Sequence, residues 1–138
     1  MIAHQATAVA IDGRAVLIEG PPGSGKSSLA LALIDRGAVL IGDDAVMLEA
    51  VEGRLLVHPH ANIVGLIEVR NVGLVTMPVL GAVGAALVLV LDPGAPRHVE
   101  AAESTQRAGV ALPLLRLWPD SPVLALRAQW ALRQFGIG

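Results

Sequence analysis

The chain has no cysteine, no tyrosine and only three aromatic residues, Trp118, Trp130 and Phe135, in 138 positions. Without thiols there are no disulfides and no thiolate metal sites, which excludes the disulfide-rich secreted class. With so few rings, a composition that is 54% hydrophobic must build its core from Val, Leu, Ile and Ala. Neither sign of charge dominates, at 10 basic and 12 acidic residues. No basic stripe is present, which argues against a nucleic-acid partner. The longest apolar run, Val79 to Leu91, is thirteen residues with two glycines; a membrane span needs about 20. The opening Met1-Ile2-Ala3-His4-Gln5 has neither the charged nor the apolar part of a signal peptide. These absences predict one soluble, cytoplasmic domain over residues 1–138 with no membrane partner.

Lysine is scarcer still: Lys26 is the only one, and the other nine cations among Lys and Arg are arginines. It stands in Gly20-Pro21-Pro22-Gly23-Ser24-Gly25-Lys26-Ser27, which fits the phosphate-binding pattern G-x-x-x-x-G-K-[ST]. A compact ammonium can meet β- and γ-phosphate oxygens at once, which a planar guanidinium cannot. Ala15 to Ile18 supply a buried strand before this loop, and Leu29, Leu31, Leu33 and Ile34 among alanines a helix after it. Loop amides and the helix N-terminus would then cradle phosphates.

Residues 6–11 and 15–19 form a predicted hairpin turning at Asp12-Gly13, and residues 45–50 and 54–58 a second turning at Glu52-Gly53. The P-loop helix is expected from Lys26 to Arg36, stopped by Gly37. A strand at Ala38 to Ile41 leads into Gly42-Asp43-Asp44, and His58 to Gly65 is a loop. Leu66 to Val75 is apolar around Glu68 and Arg70, Ala85 to Leu91 is a core strand, and residues 95–109 are expected as an exposed loop with a helical piece. Leu112 to Leu117 is a last strand and Pro122 to Phe135 a closing amphipathic helix. Long apolar strand runs indicate an α/β fold with a sheet buried on both faces.

Phosphoryl transfer needs Mg²⁺, charge neutralisation and a group that orients the nucleophile. The Ser27 hydroxyl is the expected metal ligand. Asp43 and Asp44 follow the next strand and point different ways, so that one can hold Mg²⁺ while the other takes a proton. Leu87 to Leu91 followed by Asp92 has the same look of a hydrophobic strand closed by an acid, and Asp92 also precedes the turn pair Pro93-Gly94. Pattern alone does not separate these acids. Glu68 and Arg70 share a face of an extended segment and suit a mutual ion pair as well as a site. His58 and His60 lack a third ligand at metal spacing.

Taken in order, His4, the segment Val16 to Ser27, Arg36-Gly37, Asp43-Asp44 and Leu66-Ile67-Glu68-Val69-Arg70-Asn71-Val72-Gly73-Leu74-Val75 resemble the catalytic domain of HPr kinase/phosphorylase. The resemblance covers residues 4 to about 92 well and the remainder loosely, and looks like a short form without the family's N-terminal domain. It implies a P-loop domain with a mixed β-sheet, HPr kinase/phosphoenolpyruvate carboxykinase-like, acting as an ATP- and Mg²⁺-dependent serine kinase on an HPr-like phosphocarrier. Hexameric assembly is implied in the same way. By that resemblance Gly20, Pro21, Pro22, Gly23, Ser24, Gly25, Lys26 and Ser27 bind the ATP phosphates, with Ser27 on Mg²⁺. Asp44 is the proton-accepting carboxylate, in reverse returning the proton during phosphorolysis. Asp43 lies beside the metal, Glu68 is a second Mg²⁺ ligand, His4 lies near the phosphates, and Arg97 matches a mobile-loop arginine.

Asn71 stands where the family signature has Gly, and the family's Pro/Arg-rich loop is reduced to Leu112-Pro113-Leu114-Leu115-Arg116. Two other readings stay open: a nucleotide-binding regulatory module without transfer, and a small-molecule P-loop kinase. The latter usually brings an arginine-rich lid, whereas residues 100–109 hold only Arg107.

Overall fold

The computed structural model describes residues 1–138. Its organising strand is β3 (Arg14–Glu19), which runs straight into the P-loop and helix α1 (Lys26–Asp35). Before it come β1 (Ile2–His4) and β2 (Thr7–Ile11); after the helix come β4 (Val39–Gly42), β5 (Val46–Val51), β6 (Arg54–Pro59), β7 (Leu66–Val69), β8 (Gly73–Thr76) and β9 (Val83–Leu91). The chain closes with β10 (Glu103–Arg107), β11 (Val110–Leu117) and helix α2 (Leu124–Phe135). No helix is long and apolar enough to cross a membrane.

The main sheet is mixed. β3 lies between β9, parallel to it, and β2, antiparallel to it, with β4 beyond β2. β9 changes partner along its length: Val83 and Gly84 pair with β6, while Val88 to Leu91 pair in parallel with β11. The sheet therefore splits, one branch continuing through β6, β5 and β1, the other through β11 and β10. The small hairpin β7–β8 stands apart as a two-stranded sheet.

Both faces of the central strands are buried, as their unbroken apolar runs require. Val9, Val16, Ile18, Leu87 and Leu89 face the two helices and join Leu29, Leu33, Ala128 and Leu132. Ala8, Ala10, Ala15, Leu17 and Val88 point the other way, where the curled sheet folds Leu48, Leu55 and Val57 onto them. Each such Leu or Val side chain contributes about 2 kcal/mol by leaving water.

The expected turns form. Asp12-Gly13 and Glu52-Gly53 both adopt positive φ, at 49° and 78° and at 51° and 78°, the mirror-image turn that suits the twist of a hairpin. Ala108-Gly109 adopts the same pair of angles, 49° and 78°. That turn corrects the expectation for residues 95–109: the polar stretch carries strand β10 rather than a helical piece. Its side chains are mostly exposed because β10 is an edge strand pairing only with β11, so it lacks the apolar alternation that marks a half-buried strand. The strand β1, pairing with β5 at the sheet's other edge, also goes beyond the sequence expectation. Glu68 lies in β7 but Arg70 falls in the turn after it, where Asn71 holds φ 70°. Asparagine tolerates that left-handed conformation, which accounts physically for Asn in a glycine position.

Candidate functional site

At the carboxyl end of β3 the chain leaves the sheet through Gly20, where an added Cβ would lie 2.7 Å from Ser24 Oγ and 3.3 Å from the Leu91 carbonyl. Only glycine lets the loop turn that close to its neighbour strand. Gly25 then takes the N-cap of α1 at φ 101° with no side-chain cap and no acid in the first turn. The first-turn N–H groups are thereby left to an external acceptor. Lys26 lies back on its own loop, Nζ donating to the Gly20 carbonyl at 2.7 Å and the Pro21 carbonyl at 3.4 Å. Ser24 Oγ is buried and has no hydrogen-bond partner in the protein.

α1 packs across β2 and against β7, which carries Ser27 toward the end of β4. There Ser27 Oγ donates to Asp43 Oδ1 at 2.6 Å. Asp43 is 8% exposed, and Thr7 Oγ1 also donates to its Oδ1 (3.0 Å) while the Glu68 backbone N–H donates to its Oδ2 (3.0 Å). One carboxylate thus ties β2, α1, β4 and β7 together. Asp44 differs in every respect. It is exposed, sits at φ 67°, and its side chain makes no hydrogen bond, while its backbone N–H donates to Thr7 Oγ1 at 3.2 Å. Gly42 permits the tight turn, since a Cβ there would stand 2.7 Å from the Ala45 carbonyl oxygen.

Pro22, Gly23, Gly25, Lys26, Ser27 and Ser28 form one wall of an open cleft of about 220 Å³, and Asp43, Asp44, Glu68 and Arg70 form the other. None of these lining residues is hydrophobic. Glu68 and Arg70 are both largely exposed, with Arg70 Nε 3.8 Å from Glu68 Oε1. No three acidic or histidine side chains cluster as a protein-only metal cage. The donor set instead suits Mg²⁺, which is held by one or two carboxylates, a hydroxyl, water and substrate phosphates. The Ser27–Asp43 contact is the observation that supports this fit.

Beneath the loop lies a second network. Glu19, the last residue before Gly20, receives Arg107 Nη2 at 2.6 Å and Arg107 Nε at 2.9 Å, and His4 Nε2 lies 2.7 Å from its Oε2. Burial alone would push this carboxyl up, but the His4 hydrogen bond and then the Arg107 ion pair outweigh it and hold Glu19 at about 2, below the ordinary 4.5. His4 therefore meets the loop through Glu19 and is not among the residues lining the cleft. Arg107 is committed to Glu19 and is no lid arginine. Arg97 lies elsewhere, in a groove with Arg116, Trp118 and Arg127. Asp92 accepts from Gly94 N–H at 2.7 Å and from Arg116 Nη1 at 3.4 Å, a turn acid outside the cleft.

Thr7, Glu19 and Arg107 are the residues that sequence reasoning missed. Thr7 is one hydroxyl in an apolar strand, where threonine is an ordinary strand former. Glu19 and Arg107 lie 88 residues apart, a separation that carries no local signal.

The sequence model of the HPr Serine kinase C-terminal domain family matches residues 1–88. The chain belongs to that family. Among its relatives, the HPr kinase/phosphorylase of Clostridium tetani is 39% identical over 79 residues, covering 57% of this chain and 26% of that protein. The HPr kinase/phosphorylase of Peptoclostridium acidaminophilum is 42% identical over 78 residues, covering 56% of this chain and 25% of that one. The chain thus spans about a quarter of the length of the curated relatives it matches, as the 26% and 25% figures state. In solved structures, the Hpr(Ser) kinase/phosphatase from Coxiella burnetii shares the fold at a TM-score of 0.85 and 24% identity, over 96% of this chain and 95% of that one. The fold is accordingly the α/β P-loop kinase fold with a mixed sheet, and this HPr kinase family domain carries its P-loop within the family-matched residues.

Proposed function

We propose that this HPr kinase family domain transfers the γ-phosphoryl group of ATP to a serine of an HPr-like phosphocarrier protein. The reading is carried by one observation: the polar cleft sets Lys26 and Ser27 opposite Asp43, Asp44, Glu68 and Arg70, with one of the two neighbouring aspartates bonded in place and the other free.

The P-loop amides and the uncapped start of α1 bind the triphosphate, whose oxygens also offer the missing partner for Ser24. Lys26 exchanges its loop carbonyls for β- and γ-phosphate oxygens. Ser27 Oγ and the carboxylates of Asp43 and Glu68 would hold Mg²⁺, which supplies neutralisation of phosphate charge when bound. Asp43 already accepts three hydrogen bonds and is poorly placed to take a proton. Asp44 is the general base: as the serine oxygen bonds to the γ-phosphorus and the bond to the ADP oxygen breaks, the hydroxyl proton passes to its carboxylate. In phosphorolysis an oxygen of inorganic phosphate bonds to phosphorus as the serine O–P bond breaks; the proton of the attacking phosphate passes through Asp44 to the serine oxygen, and pyrophosphate leaves. His4 and Arg107 are positioning residues that fix Glu19 and hence the entry to the loop.

The test is the mass of HPr after incubation with this protein, ATP and Mg²⁺. A gain of one phosphate on serine is expected, reversed on adding inorganic phosphate with release of pyrophosphate. Tight nucleotide binding with HPr left unmodified would overturn the kinase reading in favour of a regulatory module.

A further inference from the structure

A second cavity, of about 240 Å³, opens at the pole of the sheet away from the P-loop. Arg14 begins β3 and Glu19 ends it, so at about 3.3 Å per residue the two poles are roughly 16 Å apart along the strand. The cavity is bordered by the turn glycines Gly13 and Gly53, each followed by an arginine, Arg14 and Arg54.

Each guanidinium lies over a glycine, Arg14 half-buried and Arg54 exposed to solvent. A Cβ on Gly84 would lie 2.8 Å from Arg54 Nη2, and one on Gly136 would lie 3.1 Å from Arg14 Nη1. Any larger residue at those glycines would push the guanidiniums aside. Neither arginine donates a side-chain hydrogen bond or forms an ion pair with a protein carboxylate, although Asp12 and Glu52 stand in the same turns. Gly138 also borders the cavity. Beside the P-loop, by contrast, Lys26 bonds its own loop and Arg70 lies by Glu68.

The geometry points to an anion site for a phosphate-type group, held by Arg14 and Arg54 at the opposite pole from the nucleotide. Two forked guanidiniums supply up to ten N–H donors, matched in shape to phosphate oxygens. Leu55, Val110 and Leu112 give the cavity an apolar wall beside the arginines, which suits a phosphomonoester with a small apolar body over the free ion. The site is independent of the reaction proposed above.

The experiment is amide and arginine Nε–H NMR of the labelled protein, titrated with inorganic phosphate and with phenyl phosphate at ionic strength held constant with sodium chloride. The Arg14 and Arg54 Nε–H signals and the Gly84 amide are expected to shift and saturate, and to do so equally in Lys26→Ala, which weakens the P-loop. Arg14→Ala and Arg54→Ala should each weaken binding about tenfold, as loss of a charge-assisted pair does, while the spectra stay dispersed. Tighter binding of phenyl phosphate identifies an organic ligand, and equal binding the phosphate ion. Shifts confined to Gly23, Gly25 and Lys26, or abolished by Lys26→Ala, would overturn the proposal. So would shifts that chloride reproduces, or no shift of these signals at all.

Discussion

Strands β4 and β9 end alike in sequence and unlike in space. Each is an apolar run closed by aspartate, and both run parallel to β3 toward the P-loop end of the sheet. At the end of β4, Asp43 meets Ser27 at 2.6 Å and Asp44 lines the cleft. At the end of β9, Asp92 folds back on Gly94 and pairs with Arg116. What separates them is the side of β3 over which α1 crosses. The helix packs on β2, so Ser27 comes down over β4 and leaves β9 on the far flank. A strand ending in aspartate is a site only where the P-loop helix faces it.

Four substitutions test that contrast, the largest effect first. Asp44→Asn should lower phosphoryl transfer about a thousandfold, the loss expected of a missing general base, while a nucleotide titration shows unchanged affinity. A parallel loss of ATP binding would place Asp44 on the nucleotide instead. Asp43→Ala removes the shared acceptor of Ser27, Thr7 and the Glu68 amide. It should cost about 3 kcal/mol of stability, because those donors stay in place without a partner, and urea unfolding measures it.

Between the two strands stands β3, whose final carboxylate, Glu19, extends the contrast. Because burial, the His4 hydrogen bond and the Arg107 ion pair together leave it at about 2 rather than 4.5, its contribution is complete above about pH 4.5 and is lost as pH falls toward 2. Arg107→Ala should therefore cost about 2 kcal/mol at neutral pH, with the gap to the native chain closing between pH 4.5 and 2. A gap independent of pH would mean that Arg107 acts by packing alone. Smallest of all, Asp92→Ala should change stability by no more than about 1 kcal/mol, the worth of a half-exposed turn hydrogen bond. Nucleotide affinity should be untouched; a fall in affinity would erase the distinction between the two strand ends.

Much of the fold was legible because its signals are local. The P-loop spacing, the Asp-Gly and Glu-Gly turns and the stop at Gly37 each depend on a few adjacent residues. The Ala108-Gly109 turn carries no such signal, because alanine is not a usual first residue of such a turn. β10 is silent in the sequence because an exposed edge strand need not alternate. At the site, the acidic candidates could be named from sequence, but their division of labour could not. Asp43 and Asp44 are adjacent in the chain and offer identical chemistry.

The sequence by itself determined the strand–loop–helix unit that carries Lys26, the aliphatic two-faced sheet and the pool of carboxylates beside it. Only the tertiary structure decided which carboxylate is held and which is free, and that Thr7, Glu19 and Arg107 belong to the same end of the molecule. The reason is physical: turns and helix starts are governed by neighbours in sequence, whereas burial and hydrogen-bond partnership depend on which strands the sheet brings side by side.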